Sequence, residues 1–324
     1  MAEKRVLLIL SDIHYASSAE KARGGHERAA IDQPLLRLLV HGFRHFFWLR
    51  DPHAHNHMLD RFLECSGEPD WVVANGDYSC DSAFVGVSDD AACISVRECL
   101  SKLNARFGSR FMANFGDHEL GKMSLFGGKG GLRLASWHRA THELNLKPFW
   151  QETVGAYRLM GVTSSLLALP VFEPETLPEE RPEWCRLRNE HIDNVSQAFE
   201  SLNNQERVIL FCHDPTALPW LWRCDAVRQR IDQIEQTWIG HLHSPLVLWK
   251  SRRLAGMPMI SFLGTSIRRM TSALREARHW RPFKLRLCPS LTGTQLLKDG
   301  GFYEVRLDPE AAHTPQVLWH PLAW

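Results

Sequence analysis

Three observations predict an α/β fold for this chain. Apolar runs of strand length recur along it, amphipathic helical stretches separate them, and five of the runs stop at an Asp or a His. The first strand is expected over residues 6–10, running into Ser11-Asp12-Ile13-His14. The next spans 71–74 and meets Asn75-Gly76-Asp77, and a third at 111–113 leads to Asn114-Phe115-Gly116-Asp117-His118-Glu119. Residues 208–212 end at His213-Asp214-Pro215, and Trp238-Ile239 at Gly240-His241-Leu242-His243. Further strands are expected at 157–159, 165–169 and 258–263, and a closing hairpin from 302–307 and 316–319 around Asp308-Pro309. Helices are expected at about 34–48, 56–65, 89–105 and 186–202, the last with Ile192, Val195, Phe199 and Leu202 in helical spacing. No composition break marks a boundary. Residues 1–324 are therefore read as one domain with a helical insertion at about 17–60 and a basic segment plus hairpin at about 266–324.

Composition narrows the function class. The 324 residues are 44% hydrophobic and 23% charged with a net charge of +1, which is ordinary for a globular protein and gives no global field toward nucleic acid. Eight scattered cysteines include no CxxC pair, so free thiols in a reducing cytoplasm are expected, with a Cys93–Cys99 bridge as the alternative. Residues 6–10 are too short for a signal-peptide core, and no apolar run has the length of a membrane span.

The strand ends carry the chemistry. Carboxylate oxygens and imidazole nitrogens gathered in this way suit one or two divalent transition metals. Each residue alone has a bland reading: Asp12 as a helix cap, His213 as a structural histidine, Gly240–His243 as a tight turn. Seven such residues at the ends of five strands do not.

In order, Asp12-Ile13-His14, Gly76-Asp77, Gly116-Asp117-His118-Glu119, His213 and Gly240-His241-Leu242-His243 resemble the DxH, GDxxD, GNH[ED], H and GHxH motifs of the calcineurin-like metallophosphoesterase superfamily. The resemblance runs from residue 12 to residue 243. It implies a four-layer sandwich of two mixed β-sheets flanked by helices, with metals at the carboxyl ends of the strands. It also implies that Asp12, His14 and His243 hold one ion, that Asp117, His213 and His241 hold the other, and that Asp77 bridges them. The expected cofactors are two divalent ions, Mn, Fe or Zn. Such ions, about 3.5–4 Å apart, need a carboxylate between them and generate a bridging hydroxide that attacks phosphorus in line. His118 is then the expected proton donor to the leaving group.

Two departures from the motifs stand out. Asp117 occupies the usual Asn position, so three carboxylates oppose two dications, which disfavours dianionic monoesters relative to monoanionic diesters or pyrophosphates. Cys80 stands where the second Asp of GDxxD is expected. Asp81, one residue on, is the candidate to orient His118.

Substrate selection is expected outside the motifs. Residues 33–50 gather Leu36, Leu39, Val40, Phe43, Phe47 and Trp48 on one helical face flanked by Arg37, His41 and Arg44. The plain expectation is a helix packed on the sandwich. The sharper one is a lid or interfacial helix that grips an acyl chain or contacts a membrane surface peripherally. His53, His55 and His57 read as a solvated loop, and the glycine-rich 116–131 stretch as a mobile active-site edge or an ordinary surface loop. Among the basic residues from Arg268 to Arg286, Arg268 and Arg269 are candidates to meet a second phosphate or an acidic head group. The expected activity is a metal-dependent phosphoesterase acting on a phosphodiester, pyrophosphate or phosphomonoester of a small or lipid-linked molecule. The alternatives are a nuclease or protein phosphatase of the same superfamily, or a scaffold that keeps the fold without the reaction. Nucleic acid is the weaker substrate choice.

Overall fold

The computed structural model describes residues 4–24, 31, 33–80, 84–122, 130–262 and 265–324. Its strands are β1 (Arg5–Leu10), β2 (Trp71–Ala74), β3 (Phe111–Ala113), β4 (Phe149–Val154), β5 (Tyr157–Val162), β6 (Arg207–Cys212), β7 (Ile234–Ile239), β8 (Leu285–Leu287), β9 (Gly301–Leu307) and β10 (Gln316–Pro321). The helices used below are α1 (Ser18–Arg23), α2 (Pro34–Phe46), α3 (Asn56–Cys65), α4 (Asp90–Phe107), α5 (Asp117–Leu120), α6 (Arg181–Glu200), α7 (Pro245–Arg253) and α8 (Thr265–Glu276).

Side-chain alternation builds the layers. In β1, Leu7 and Ile9 join a core with Ile209 and Phe211 of β6, whereas Leu8 and Leu10 join the core that includes Phe62 of α3 and Val96 of α4. Each sheet therefore presents one face to the other sheet and one to helices. The first sheet has the order β10-β9-β1-β2-β3 and the second β4-β5-β6-β7-β8. Both are mixed: β1, β2 and β3 are parallel, as are β5 to β8, while β9, β10 and β4 run antiparallel to their neighbours. The parallel strands all deliver their carboxyl ends to one edge, where loops meet. This is the four-layer α/β sandwich that the sequence predicts.

Helix ends follow local chemistry. Asp89 caps α4 by accepting from Ala92 N at 2.8 Å, and Gly108, at φ 57°, ends it. The closing hairpin forms as β9 and β10.

Several expectations are corrected. The 165–169 stretch is not a strand but part of two helical turns, Ser164–Leu167 and Leu169–Phe172, where Pro170 has no N–H to give a ladder. Residues 258–262 form no strand either, and β8 takes the sheet position beside β7. β4 was not expected, because Gln151, Glu152 and Thr153 are consecutive exposed residues on an edge strand. Helix α2 ends at Phe46, and its apolar face is not packed as expected. Val40 is buried and Trp48 half-buried, but Leu39, Phe43 and Phe47 are exposed.

Candidate metal centre

Five loops at the carboxyl ends of β1, β2, β3, β6 and β7 converge on one point. The loop after β1 runs beside the loop after β2, with Asp12 N donating to Gly76 O and His14 N to Asp77 O, each at 3.1 Å. The approach is close enough to exclude side chains. A Cβ on Gly76 would lie 2.6 Å from the Gly116 backbone, and one on Gly240 would overlap Ser11 Oγ and Asp12 Oδ2. Asp12, His14, Asp77, His241 and His243 all have φ between 50° and 58°, the left-handed region that non-glycine residues avoid. Such strain concentrates at functional sites, and here it aims each side chain inward.

Two donor groups result. Asp12, His14, Asp77 and His243 form one, and Asp77, Asp117, His213 and His241 form the other, with the donor atoms of each within 4.8 Å of one another. Asp77 belongs to both. His243 Nε2 lies 3.0 Å from Asp12 Oδ1, His213 Nε2 3.2 Å from Asp77 Oδ2, and His241 Nδ1 3.0 Å from Asp117 Oδ1. All seven sequence-predicted metal residues are thus brought together.

Backbone carbonyls choose which imidazole nitrogen faces the centre. His14 Nδ1 donates to Ser79 O at 3.2 Å and His213 Nδ1 to Asn75 O at 2.5 Å. A carbonyl only accepts, so Nδ1 carries the proton and Nε2 presents a lone pair. His14 Nε2, His213 Nε2 and Asp77 Oδ2 are buried with no hydrogen-bond partner. Buried polar atoms left open in this way fit a cation.

Electrostatics agrees with that fit. Burial, His118 and His243 hold His14 down at about 3, which keeps its ring neutral. Burial lowers His213 and His241, yet Asp77 and Asp12 drive His213 well up, and Asp214 and Asp117 take His241 to about 9. Burial and Asp117 raise Asp77, but His118 and His213 bring it to about 2. Three ionised carboxylates in one buried space attract protons or, in their place, divalent cations.

His118 lies beside this centre. Its Nδ1 donates to the same Ser79 carbonyl at 3.2 Å, which leaves Nε2 facing inward, 3.7 Å from Asp77 Oδ2. Lys122 Nζ lies 2.6 Å from that Nε2. Asp81, the expected orienting residue, lies outside the described residues, as do residues 123–129 of the glycine-rich loop.

Arg269 reaches the rim. It pairs with buried Glu175 at 3.0 Å and lines a cavity with Asp117, Lys122, Asp214 and His241. Arg268 is not among that cavity's lining residues, although its charge acts on Glu175. A second cavity, on the other side, is lined by His14, Arg44, Trp48, His118, Lys122 and His243. His53, His55 and His57 join neither donor group.

The sequence reading gave no role to Glu119 or Lys122. Glu119 is fully buried and accepts from the N–H groups of Asp77, Tyr78 and Gly116 at 2.8–3.1 Å, locking two motif loops together. Burial and Asp77 raise its pKa to about 8. The available signal for Lys122 was its spacing, four residues after His118.

Comparison with known proteins adds the family. The calcineurin-like phosphoesterase family model matches residues 6–245. No curated protein matches the chain significantly. Similar solved structures include a purple acid phosphatase from yellow lupin (Lupinus luteus), 10% identical with TM-score 0.38, covering 75% of this chain and 38% of that one. A phosphopantetheinyl hydrolase from Mycobacterium tuberculosis is 16% identical with TM-score 0.35, covering 76% and 85%. A putative 5'-nucleotidase from Staphylococcus aureus is 11% identical with TM-score 0.42, covering 98% and 54%. The chain therefore spans well under two thirds of the lupin and staphylococcal proteins. With the family match over most of its length and two His/Asp clusters at the strand ends, this chain belongs to the calcineurin-like phosphoesterase family.

Proposed function

We propose that the protein hydrolyses a phosphodiester or pyrophosphate link in a phosphorylated small or lipid-linked molecule. The observation that supports this most is the pair of donor groups sharing Asp77, with buried donor atoms left unpartnered. Asp12, His14 and His243 would hold one ion, Asp117, His213 and His241 the other, with Asp77 common to both. Mn, Fe and Zn all suit this mixed oxygen and nitrogen set. When bound, such a pair supplies activated water and neutralises phosphoryl oxygens.

The protein's own groups do the rest. Ser79 O pins the His118 ring, so Nε2 is the atom that exchanges a proton with the departing oxygen. Lys122, on the same nitrogen, offers positive charge where negative charge develops. Asp117, in place of a neutral amide, makes the centre less positive and so less selective for dianionic monoesters. Cys93 and Cys99 carry thiols and form no bridge with each other.

The test is turnover of bis(p-nitrophenyl) phosphate with added manganese, run beside His118→Ala. We expect metal-dependent hydrolysis that His118→Ala loses. Equal rates in the two proteins would remove His118 from the reaction, and no turnover on diester, pyrophosphate or monoester with any of the three metals would overturn the reading.

A further inference from the structure

The large apolar side chains that stand exposed among the described residues all fall within residues 35–47, 246–270 and 296–297. These three stretches are remote in sequence but meet at the mouth of the metal centre. The Trp48 ring, just past α2, lies 4.3 Å from the His243 ring. Ser244, the next residue, caps α7 by accepting from Leu246 N. Gln295 N donates to Trp48 O at 2.5 Å, which brings exposed Leu296 and Leu297 to the same edge.

Each of the two helices carries exposed apolar residues of its own. On α2 and its C-cap residue Phe47, Leu35, Leu38, Leu39, Phe43, Phe46 and Phe47 fall on one stripe at helical spacing, each more than half exposed. On α7, Leu246, Val247 and Trp249 are exposed, with Arg253 over the Trp249 ring at 5.3 Å. Leaving so much apolar surface in water is costly, and patches of this kind mark interaction sites.

Charge identifies the occupant. Residues 33–50 and 244–262 together hold six Lys and Arg and no Asp or Glu, in a chain whose totals are 38 and 37. A second copy would present the same patch to itself and set cations against cations. An anionic bilayer offers both an apolar interior and negative head groups, and a Trp at the boundary suits its interface.

We propose that α2 and residues 245–262 dock on the surface of an anionic bilayer, with the metal centre opening at that surface toward a lipid-borne phosphoester. The second part rests on the hydrolysis proposed above, and the docking does not. Arg44 and Trp48 connect the two, since they line a cavity with His14, His118 and His243 at the base of α2.

The experiment is flotation of the manganese-loaded full chain with phosphatidylcholine vesicles, with and without phosphatidylglycerol. The protein should float with the anionic vesicles at least about tenfold better than with neutral ones, and salt should weaken this. Leu38→Gln with Phe46→Gln, and separately Lys250→Glu with Arg253→Glu, should each lose flotation. Both should hydrolyse soluble bis(p-nitrophenyl) phosphate at the parent rate, which verifies their folding. No flotation of the parent, or variants that float equally well, would overturn the proposal. So would a parent dimer, seen by light scattering, that does not bind vesicles and that Leu38→Gln with Phe46→Gln dissociates. A protein that floats but hydrolyses no ester keeps the docking face and removes only the lipid-borne substrate.

Discussion

At the floor of the metal centre, Asp12, Asp77 and His213 are almost wholly buried. At its rim, Leu38 is 65% exposed, Phe46 64% and Trp249 54%. The floor is built from strand ends held by backbone hydrogen bonds and left-handed residues. The rim is built from helices whose apolar stripes lack a partner among the described residues. A substitution at the floor should therefore act on metal content and chemistry, and one at the rim on where the protein docks. Pre-organisation explains the contrast, because groups that must hold charged ligands within a fraction of an ångström need rigid supports, whereas a docking face needs only area and charge.

The largest break in the comparison should come from Asp77→Ala. It removes the carboxylate common to both donor groups, and hydrolysis should fall by about a thousandfold or more, with metal content falling in parallel. Activity kept within about tenfold, measured with saturating manganese, would mean that the two groups work independently.

His118→Ala should lower kcat by roughly 10²–10⁴-fold while leaving metal content intact, because the ring donates to Ser79 O and belongs to neither donor group. Metal analysis beside steady-state kinetics separates these outcomes. Loss of metal would make His118 a ligand.

A smaller effect is expected from Asp117→Asn. Removing one negative charge should favour dianionic substrates and raise the monoester-to-diester rate ratio by about a few-fold to tenfold. The two rates are measured on p-nitrophenyl phosphate and bis(p-nitrophenyl) phosphate. An unchanged ratio contradicts the role given to the charge.

The smallest effect lies away from the centre. His191 is buried, accepts from Thr163 N at 3.1 Å, and burial holds its pKa at about 3 against the ordinary 6.5. Below pH 6.5 the unfolded chain takes up a proton that the folded one refuses, so this residue's contribution is lost as pH falls toward 3. The slope is about 1.4 kcal/mol per pH unit. His191→Gln lacks this term, so its stability deficit at pH 7.5 should narrow by roughly 2 kcal/mol by pH 5 in urea unfolding. A constant deficit would show that His191 is not held neutral.

Sequence legibility follows the same divide. The seven Asp and His side chains could be read because each follows an apolar run, and continuous apolar runs buried on both faces made β1, β6 and the end of β7 visible. The Ser79 carbonyl that orients both His14 and His118 carries no side-chain signal, and its neighbours Cys80 and Asp81 drew attention instead. The apolar 164–172 stretch has no period to separate strand from helix, and β8 spans only Leu285–Leu287. The apolar stripe of α2 was legible, but its exposure was not, since periodicity locates a face without saying what covers it.

Metal stoichiometry tests the central claim most directly. Untagged protein, stripped with chelator, reloaded with manganese and desalted, should hold about two ions per chain, and Asp77→Ala should fall well below that. A folded protein that retains no ion above background, or an Asp77→Ala variant that keeps both, would contradict it.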